Sequence, residues 1–351
     1  MNIKGFATLE GTKNYFTNRN VDSFLIRNTE WFYSLPIAIG THLGNFSDEH
    51  SELYMDCLTY GLEKEINFID TAVNYRGMRS EKDIGKVLNI LINEKNALKR
   101  EEIIISTKGG QIFGDIDLGI TPLDYLDKIL IVNGILERND VNIVENHRHT
   151  LAPEFYEFSI EQSKKNLGIE TIDIHYIHNP EISMYVLGKD LFYKKLEKLI
   201  EFYEEQVEIG SIKSYGMATW DAFLADMHSK YYISIKTVMD MVKAVAGEKH
   251  HFKFIQLPYN KKNNLASTKK NQNVKGKYYT PIQAANELGI NVTISSPLNQ
   301  GEEFNKSYLS SKELLKYVID TEGVYAAMVG TKRREHLEEN IAAIEEIVSE
   351  I

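Results

Sequence analysis

Short apolar runs alternate with segments of helical periodicity along this chain. Continuous Ile-, Val- and Phe-rich runs are typical of parallel strands that are buried on both faces. Such runs occupy residues 36–40, 66–70, 103–108, 172–178, 212–217, 252–257, 291–295 and 324–329. Apolar residues recur with helical spacing at 49–62, 80–92, 154–167, 190–209, 220–228, 279–288, 311–320 and 333–347. Strands and helices in this alternation predict an α/β fold, a (β/α)8 TIM barrel.

An open, doubly wound parallel sheet would give a similar alternation. Such sheets commonly carry a Gly-x-Gly-x-x-Gly turn after the first strand, and no such turn follows residues 36–40. The barrel is therefore the favoured interpretation. We expect residues 1–351 to form a single barrel domain, with residues 1–35 as a plug at its amino-terminal mouth. Because 43% of the residues are hydrophobic, the chain can bury a core of that size.

Two connections are longer than the two to six residues, roughly, of a simple barrel loop. Residues 109–152 form an insertion after the third strand, and we expect it to overhang the carboxyl-end face as a lid or a substrate wall. The second, Asn260 to Lys277, contains six lysines and no acidic residue. It is either a solvated, mobile loop or a flap that attracts the phosphates of a bound nucleotide.

Charge and cysteine content restrict the class of partner. A formal net charge of −10 opposes non-specific attraction to nucleic acid and to anionic membranes. The single cysteine, Cys57, excludes an internal disulfide and fits a reducing compartment. No long apolar stretch begins the chain, so neither a signal peptide nor a membrane span is expected. We therefore expect a cytoplasmic protein whose partner is a small molecule.

Three ionisable residues lie where apolar runs end. Asp70, Lys108 and His178 close the second, third and fourth runs, and Tyr75 follows five residues after Asp70. In a barrel of parallel strands the active site forms at the carboxyl ends. Taken singly, each residue has a structural explanation, such as a turn cap or a solvated strand end. Together, at the ends of three successive strands, they predict a catalytic cluster.

These residues lie in segments that resemble the aldo-keto reductase superfamily. The segments, in order, are NFIDTAVNY at 67–75, SEKDIG at 80–85, STK at 106–108, IDIHYIHNP at 172–180 and GTKRREHLEEN at 330–340. The resemblance implies a (β/α)8 barrel that reduces an aldehyde or ketone to an alcohol, or catalyses the reverse oxidation, with a nicotinamide cofactor.

The resemblance implies a catalytic tetrad of Asp70, Tyr75, Lys108 and His178. Hydride transfer to a carbonyl leaves negative charge on its oxygen, so a proton donor must lie about 3 Å from that oxygen. A phenol, whose ordinary pKa is about 10, is protonated at neutral pH and can donate. An ammonium stabilises the resulting phenolate, and a carboxylate keeps that ammonium charged and oriented. His178 would hydrogen-bond the carbonyl oxygen and orient it, or share the proton relay at lower pH.

Cofactor contacts are implied position by position. Where the family often has Gly-x-Ser-Asn after the fifth strand, this chain has Ala218 and Thr219 at the polar pair that holds the nicotinamide carboxamide. Gln256 matches a glutamine that contacts the same carboxamide, and Ser295 stands where an aromatic residue normally stacks on the ring. The other implied contacts are Ser296, Leu298, Gly330, Thr331, Lys332, Arg334, His336, Glu339 and Asn340.

The last of these segments bears on the cofactor type. Lys332 and Arg334 lie near the start of the last helix, where cations and free backbone N–H groups can both meet a phosphate, whereas Arg333 is expected to be solvated. Lys332 and Arg334 therefore favour NADP(H) over NAD(H). Two other functions stay open: a non-catalytic NADP-binding subunit that senses redox state or acts as a scaffold, and a barrel enzyme redirected to elimination or isomerisation.

The sequence identifies a carbonyl or alcohol substrate only as a class. Candidate substrate contacts are Trp220 and, in the insertion, His147 and His149. Glu145 and these two histidines lack the paired spacing of a zinc site. His175 and His178 are three residues apart on a strand and so point to opposite faces. No metal is expected.

Overall fold

The computed structural model describes residues 2–299 and 310–349, with side chains described up to residue 346. The barrel strands are β1 (Ile37–Gly40), β2 (Phe68–Asp70), β3 (Ile104–Gly109), β4 (Ile172–His178), β5 (Ile212–Ala218), β6 (Phe252–Pro258), β7 (Asn291–Ser295) and β8 (Val324–Gly330). These eight parallel strands close into a barrel in the order β6-β7-β8-β1-β2-β3-β4-β5, which confirms the predicted (β/α)8 fold.

One helix follows each strand along the chain. These helices are α1 (Asp48–Lys64), α2 (Arg79–Leu88), α3 (Pro153–Leu167), α4 (Glu181–Glu208), α5 (Ile235–Ala246), α6 (Pro281–Glu287), α7 (Ser311–Ile319) and α8 (Arg334–Ser349). Their ends follow capping chemistry: Ser47 caps α1 by accepting from the backbone N–H of His50, and Gly168, at φ 67°, ends α3. No described helix is both long and apolar enough to cross a lipid bilayer.

The predicted helix at 220–228 is wrong. These residues form turns, and the helix after β5 begins only at Ile235. The backbone oxygen of Asp221 accepts hydrogen bonds from the backbone N–H groups of Leu224 and Ala225, which closes a tight turn. Ala222, Phe223 and Leu224 are buried within that turn, so their apolar character reflects burial of a loop and not a helical face.

Helix α4 is longer than its predicted range of 190–209. It begins at Glu181, directly after β4, and Gly188 interrupts it with non-helical backbone angles (φ 70°, ψ 169°). An L residue with a side chain rarely adopts such angles, whereas glycine does so freely. The extra turns at 181–187 lie beside the carboxyl ends of the strands and place Glu181 there.

Described segments outside the barrel elements include three α-helices and three short hairpins. The helix Leu9–Thr17 precedes the barrel, and the one-turn helices Pro122–Tyr125 and Leu265–Thr268 lie in the loops after β3 and β6. The hairpins pair Arg27–Asn28 with Tyr33–Ser34, Asn142–Val144 with His147–His149, and Gln272–Val274 with Lys277–Tyr279. The lysine-rich segment therefore has secondary structure of its own, and Asn271 anchors it by donating to the backbone carbonyls of Phe223 (2.8 Å) and Ala225 (2.7 Å).

Aromatic packing fills the amino-terminal end of the barrel. Phe32 is buried, stacks on Phe254 at a centroid distance of 6.0 Å and lies edge-on to Phe68 and Tyr325. Asp173 holds the amino-terminal segment there, because its carboxylate accepts from the backbone N–H of Ala7 (2.7 Å). Packed aromatic side chains therefore close this end of the barrel.

The insertion is packed on the barrel, and its apolar side chains join the main hydrophobic core. Phe113 contacts Tyr125, Phe155 and Phe158 at centroid distances of 5.1, 5.7 and 6.4 Å. Asn142 and His149 both hydrogen-bond to the hydroxyl of Ser183 on α4. Several contacts of this kind fix the insertion over the carboxyl ends of the strands.

Helices α2 and α3 approach so closely at Gly85 that a methyl group would not fit. A Cβ at this position would lie 2.3 Å from the backbone oxygen of Asn166. Helix propensity alone makes alanine more stable than glycine by about 1 kcal/mol. We expect the clash to reverse the sign, so that Gly85→Ala lowers the free energy of unfolding by at least about 1 kcal/mol in urea titrations.

The neighbouring exposed residue of α2 provides the control for this substitution. Lys86→Ala should change stability by less than about 0.5 kcal/mol. A Gly85→Ala protein more stable than wild type would show that the two helices are not packed as described.

Candidate active site

A cavity of about 910 Å³ opens at the carboxyl ends of the barrel strands. All eight strands or the loops that follow them contribute to its wall. Among the residues predicted from sequence, the wall includes Asp70, Tyr75, His178, His147, Ala218, Thr219, Trp220, Gln256, Ser295, Ser296, Leu298, Gly330, Thr331, His336, Glu339 and Asn340. Lys108 lies directly behind this wall, since it is only 1% exposed and bonded to Asp70.

The centre of the cavity floor is an ion pair between β2 and β3. The ammonium of Lys108 donates to Asp70 Oδ2 and to the backbone oxygen of Thr71, each at 2.7 Å. Asp70 Oδ1 accepts from Ser106 Oγ at 2.7 Å and from Gln256 Nε2 at 3.1 Å. Burial lowers the pKa of Lys108, but the charges of Asp70 and Tyr75 and the hydrogen bonds to them together raise that pKa above its usual value. The lysine is therefore cationic at neutral pH.

Tyr75 lies over this ion pair and faces the cavity. Lys108 Nζ is 5.0 Å from the centroid of its ring. Burial raises the pKa of the Tyr75 phenol, and the nearby ammonium of Lys108 only partly opposes that effect. The phenol is therefore protonated at neutral pH, beside a cation that would stabilise its anion.

Two histidine rings flank Tyr75. His178 lies edge-on to it at a centroid distance of 5.9 Å, and His42, which follows β1, lies at 4.7 Å. Burial, followed by the charge of Lys108, holds the pKa of His178 well below its usual value. Burial and then Lys108 also lower the pKa of His42. Both imidazoles are neutral at pH 7 and can hydrogen-bond to a ligand without adding a proton to it.

The remaining histidines predicted near the site have different environments. His147 borders the cavity, whereas His149 is fully buried behind it and bonds to Ser183 at 2.6 Å. His175 points away from the cavity and bonds to the hydroxyl of Tyr203 at 2.7 Å. Burial lowers the pKa values of His149 and His175 to about 3. Among the described residues, no three His, Cys, Asp or Glu side chains are grouped so as to hold a metal ion.

One wall of the cavity carries polar atoms that have no protein partner. Among the described residues, Thr219 Oγ1, Glu181 Oε2, His178 Nδ1 and Asn74 Oδ1 are buried and make no hydrogen bond. The other carboxyl oxygen of Glu181 accepts from the backbone N–H groups of Trp220 (2.7 Å) and Asp221 (3.2 Å). An unsatisfied buried polar group costs about 1–3 kcal/mol. This wall is therefore suited to a polar ligand.

The far end of the cavity lies at the start of α8. Thr331, His336, Glu339 and Asn340 border it there. Lys332 and Arg334 do not border the cavity. Lys332 Nζ lies 3.3 Å from His50 Nε2, and Arg334 pairs with Glu338 at 2.9 Å. The described wall also includes no residue of 260–277, so the flap interpretation of that segment gains no support from it.

Sequence reasoning did not identify several residues of the wall. His42, Asn74, Gln111 and Glu181 all border the cavity. His42 and Gln111 follow the carboxyl ends of β1 and β3, so the strand-end rule that identified Asp70 could have found them. Glu181 could not be found in this way, since its orientation depends on backbone N–H groups from the loop after β5.

Comparison with known proteins gives one family and many similar structures. The model of the aldo/keto reductase family matches residues 36–350. Comparison with curated proteins by sequence gives no match. An aldo/keto reductase from Klebsiella pneumoniae, solved with NADP and acetate, is 17% identical, with 92% of this chain and 90% of that chain covered and a TM-score of 0.59. The holo form of an aldo-keto reductase from Bacillus halodurans is 16% identical, with 93% and 95% covered and a TM-score of 0.59. At these identities the structural likeness establishes the fold.

Glu181 should make the stability of the protein depend on pH. Burial raises its pKa from 4.5 to about 7, although the two backbone N–H groups oppose this shift. The contribution of Glu181 to the free energy of unfolding is fully present below about pH 4.5 and is lost as the pH rises through about 7. The reason is that the carboxyl group loses its proton at a lower pH in the unfolded chain than in the folded protein. Glu181→Gln should therefore gain stability relative to wild type between pH 5 and pH 8, by about 3 kcal/mol at most.

Urea unfolding at the two pH values measures this difference. Glu197→Gln, at an exposed position of the same helix, is the matched control and should give the same difference from wild type at both. A pH-independent difference for Glu181→Gln would contradict the raised pKa.

Proposed function

This chain belongs to the aldo/keto reductase family, and on that premise we propose that it catalyses the NADPH-dependent reduction of an aldehyde or ketone to an alcohol, or the reverse oxidation. The observation that carries this proposal is the position of Tyr75 in the cavity wall, next to the buried pair of Lys108 and Asp70. This arrangement suits delivery of one proton to an oxygen that gains negative charge.

Tyr75 is the proposed proton donor. As the carbonyl oxygen becomes negative, the phenol gives its proton to that oxygen and becomes a phenolate. The ammonium of Lys108 stabilises this phenolate without moving, because Asp70 and the backbone oxygen of Thr71 hold it in place. Ser106 and Gln256 in turn hold the carboxylate of Asp70.

His178 is proposed to orient the substrate. Because its imidazole is buried and neutral, it can donate a hydrogen bond from a ring nitrogen to the carbonyl oxygen. It borders the same cavity as Tyr75, at a centroid distance of 5.9 Å. Two donors directed at one oxygen would fix the carbonyl group for proton transfer.

The residues of the cavity fit a nicotinamide dinucleotide. The unpaired buried atoms of Thr219 and Glu181 are suited to an amide such as the nicotinamide carboxamide, and Gln256 lies beside them. Ser295 would face the nicotinamide ring, and Ala218 would lie beside its carboxamide. Ser296 and Leu298 would border the middle of the dinucleotide, with Gly330 as a small residue in the wall, and Thr331, His336, Glu339 and Asn340 would hold the adenosine half. When bound, NADPH supplies the hydride. The Klebsiella relatives solved with NADP and with NADPH support this cofactor type.

Tyr75→Phe should abolish most of the carbonyl reduction. Removing the only group that the proposal assigns as proton donor is expected to lower kcat at least about 100-fold, as is typical of lost general acid catalysis. Turnover of a panel of aldehydes and ketones is measured by the fall in absorbance at about 340 nm, where the reduced nicotinamide ring of NADPH absorbs.

Tyr278→Phe removes an exposed hydroxyl outside the cavity and should leave kcat unchanged. Turnover that survives Tyr75→Phe at the wild-type rate would exclude the proposed role of Tyr75. Tight NADPH binding without turnover of any carbonyl would instead favour a redox-sensing or scaffolding subunit, and turnover without NADPH consumption would favour elimination or isomerisation.

Lys332 is proposed to contact the 2′-phosphate of NADPH. Its ammonium lies near His50, at the same end of the cavity as Thr331 and His336, and the described structure gives it no carboxylate partner. A charge-assisted hydrogen bond is worth about 1.5–3 kcal/mol. Lys332→Met should raise the Kd for NADPH about tenfold or more in fluorescence titrations and leave the Kd for NADH unchanged.

Arg333→Met, an adjacent exposed cation, should affect NADPH affinity much less. Arg334→Met tests whether the cation that is paired with Glu338 also takes part. Equal weakening of NADPH and NADH by Lys332→Met would contradict a phosphate contact.

A further inference from the structure

A second cavity of about 820 Å³ adjoins the first at Tyr75. Six residues border both cavities: His42, Leu43, Asn74, Tyr75, Gln111 and His147. The wall residues proposed to hold the cofactor, such as Thr219, Gln256 and His336, border only the first. A substrate whose carbonyl group lies at Tyr75 could therefore extend into the second cavity without competing with the cofactor.

The wall of the second cavity is rich in apolar side chains. They come from the loop after β1 and from the insertion, and they are Leu43, Phe46, Ile112, Phe113, Ile116, Ile120, Pro122 and Leu123. Phe46 is 53% exposed, Leu123 49% and Ile116 38%. Exposed apolar surface costs about 25 cal/mol per Å², so an apolar ligand that covers it gains binding energy.

Ion pairs hold the insertion side of this wall in place. Asp117 accepts from Arg79 at 2.6 Å and from Lys82 at 2.8 Å, both on α2, and Asp115 accepts from Lys82 at 2.9 Å. Reciprocal backbone hydrogen bonds of 2.9 Å join Asp115 and Ile120. The apolar side chains between these residues are thus presented by a braced loop.

Several polar side chains of the wall already have protein partners. Asn74 Nδ2 donates to Gln111 Oε1 at 3.2 Å, although Asn74 Oδ1 is unpaired. Arg76 is paired with Asp83 at 2.8 Å, and Arg148 donates to the backbone oxygen of Asn146. No described residue of this wall is acidic. A polyhydroxylated ligand would compete with these contacts, whereas an alkyl chain needs no hydrogen-bond partner from the wall.

We propose that the second cavity binds a long apolar substituent of the carbonyl substrate, so that the enzyme prefers medium- and long-chain aldehydes to short or polyhydroxylated ones. This inference rests on the proposed carbonyl reduction. Its physical basis is that the cavity continues from Tyr75 into an apolar, braced chamber.

A chain-length series tests the inference with wild-type protein and NADPH. Each methylene that becomes buried is worth about 0.8 kcal/mol, so kcat/KM should rise up to about fourfold per methylene from butanal towards decanal until the chamber is filled. Xylose should be a much poorer substrate. Binding of octan-1-ol and butan-1-ol, measured by calorimetry, gives a second readout that requires no turnover and should favour octan-1-ol.

Ile116→Trp is designed to fill the chamber from its exposed rim. It should remove most of the advantage of octanal over butanal, since the longer chain is the one that reaches the filled space. Leu118→Trp is the matched control, since Leu118 is 69% exposed in the same loop and does not border the cavity. It should leave the chain-length dependence unchanged.

The possible outcomes separate this inference from the proposed function. A flat dependence on chain length, with Tyr75-dependent turnover intact, would overturn the inference alone. Equal losses for butanal and octanal in Ile116→Trp would also overturn it. If no carbonyl compound is turned over, the proposed function fails, and preferential binding of octan-1-ol that Ile116→Trp abolishes would still support the apolar chamber.

Discussion

The ion pair of Asp70 and Lys108 is the interaction on which the candidate site depends. Both side chains are almost completely removed from solvent, at 6% and 0% exposure, where an unpaired charge would cost several kcal/mol. Their charges are tolerable because each has further hydrogen-bond partners: Lys108 bonds to Thr71, and Asp70 to Ser106 and Gln256. Thr71 follows β2, Ser106 lies on β3 and Gln256 on β6, so closure of the barrel completes the set.

Tyr75 connects this ion pair to two cavities with different chemistry. The first has unpaired polar atoms along one wall, at Thr219 and Glu181, and is bordered at its far end by the start of α8. The second is mainly apolar and is built largely by the insertion. The barrel strands thus supply the groups for proton transfer, whereas a loop that is braced by ion pairs to α2 shapes the space next to them. Such a division allows substrate preference to change without altering the ion pair.

The apolar pattern located the strands to within about two residues, since a parallel strand buried on both faces is a continuous apolar run and its length is limited by the barrel. Asp70, Lys108 and His178 follow from the same pattern, because each closes such a run. The same pattern gave a wrong prediction at 220–228, where the residues form turns. Ala222, Phe223 and Leu224 are apolar because they are buried, and not because they lie on one face of a helix. Glu181 was also missed: its environment is set by N–H groups of Trp220 and Asp221, distant in sequence.

The barrel, the strand that carries each ionisable residue and the end of the barrel at which those residues lie could all be predicted from the amino-acid sequence. These features depend on local periodicity, which each segment carries alone. The folded structure was needed to show that Gln256 supports Asp70, that His149 is buried behind the wall while His147 borders the cavity, and that Lys332 is directed towards His50. It alone revealed the apolar second cavity as well. Side-chain direction, burial and ionisation arise from contacts between segments far apart in the chain, and no local pattern encodes them.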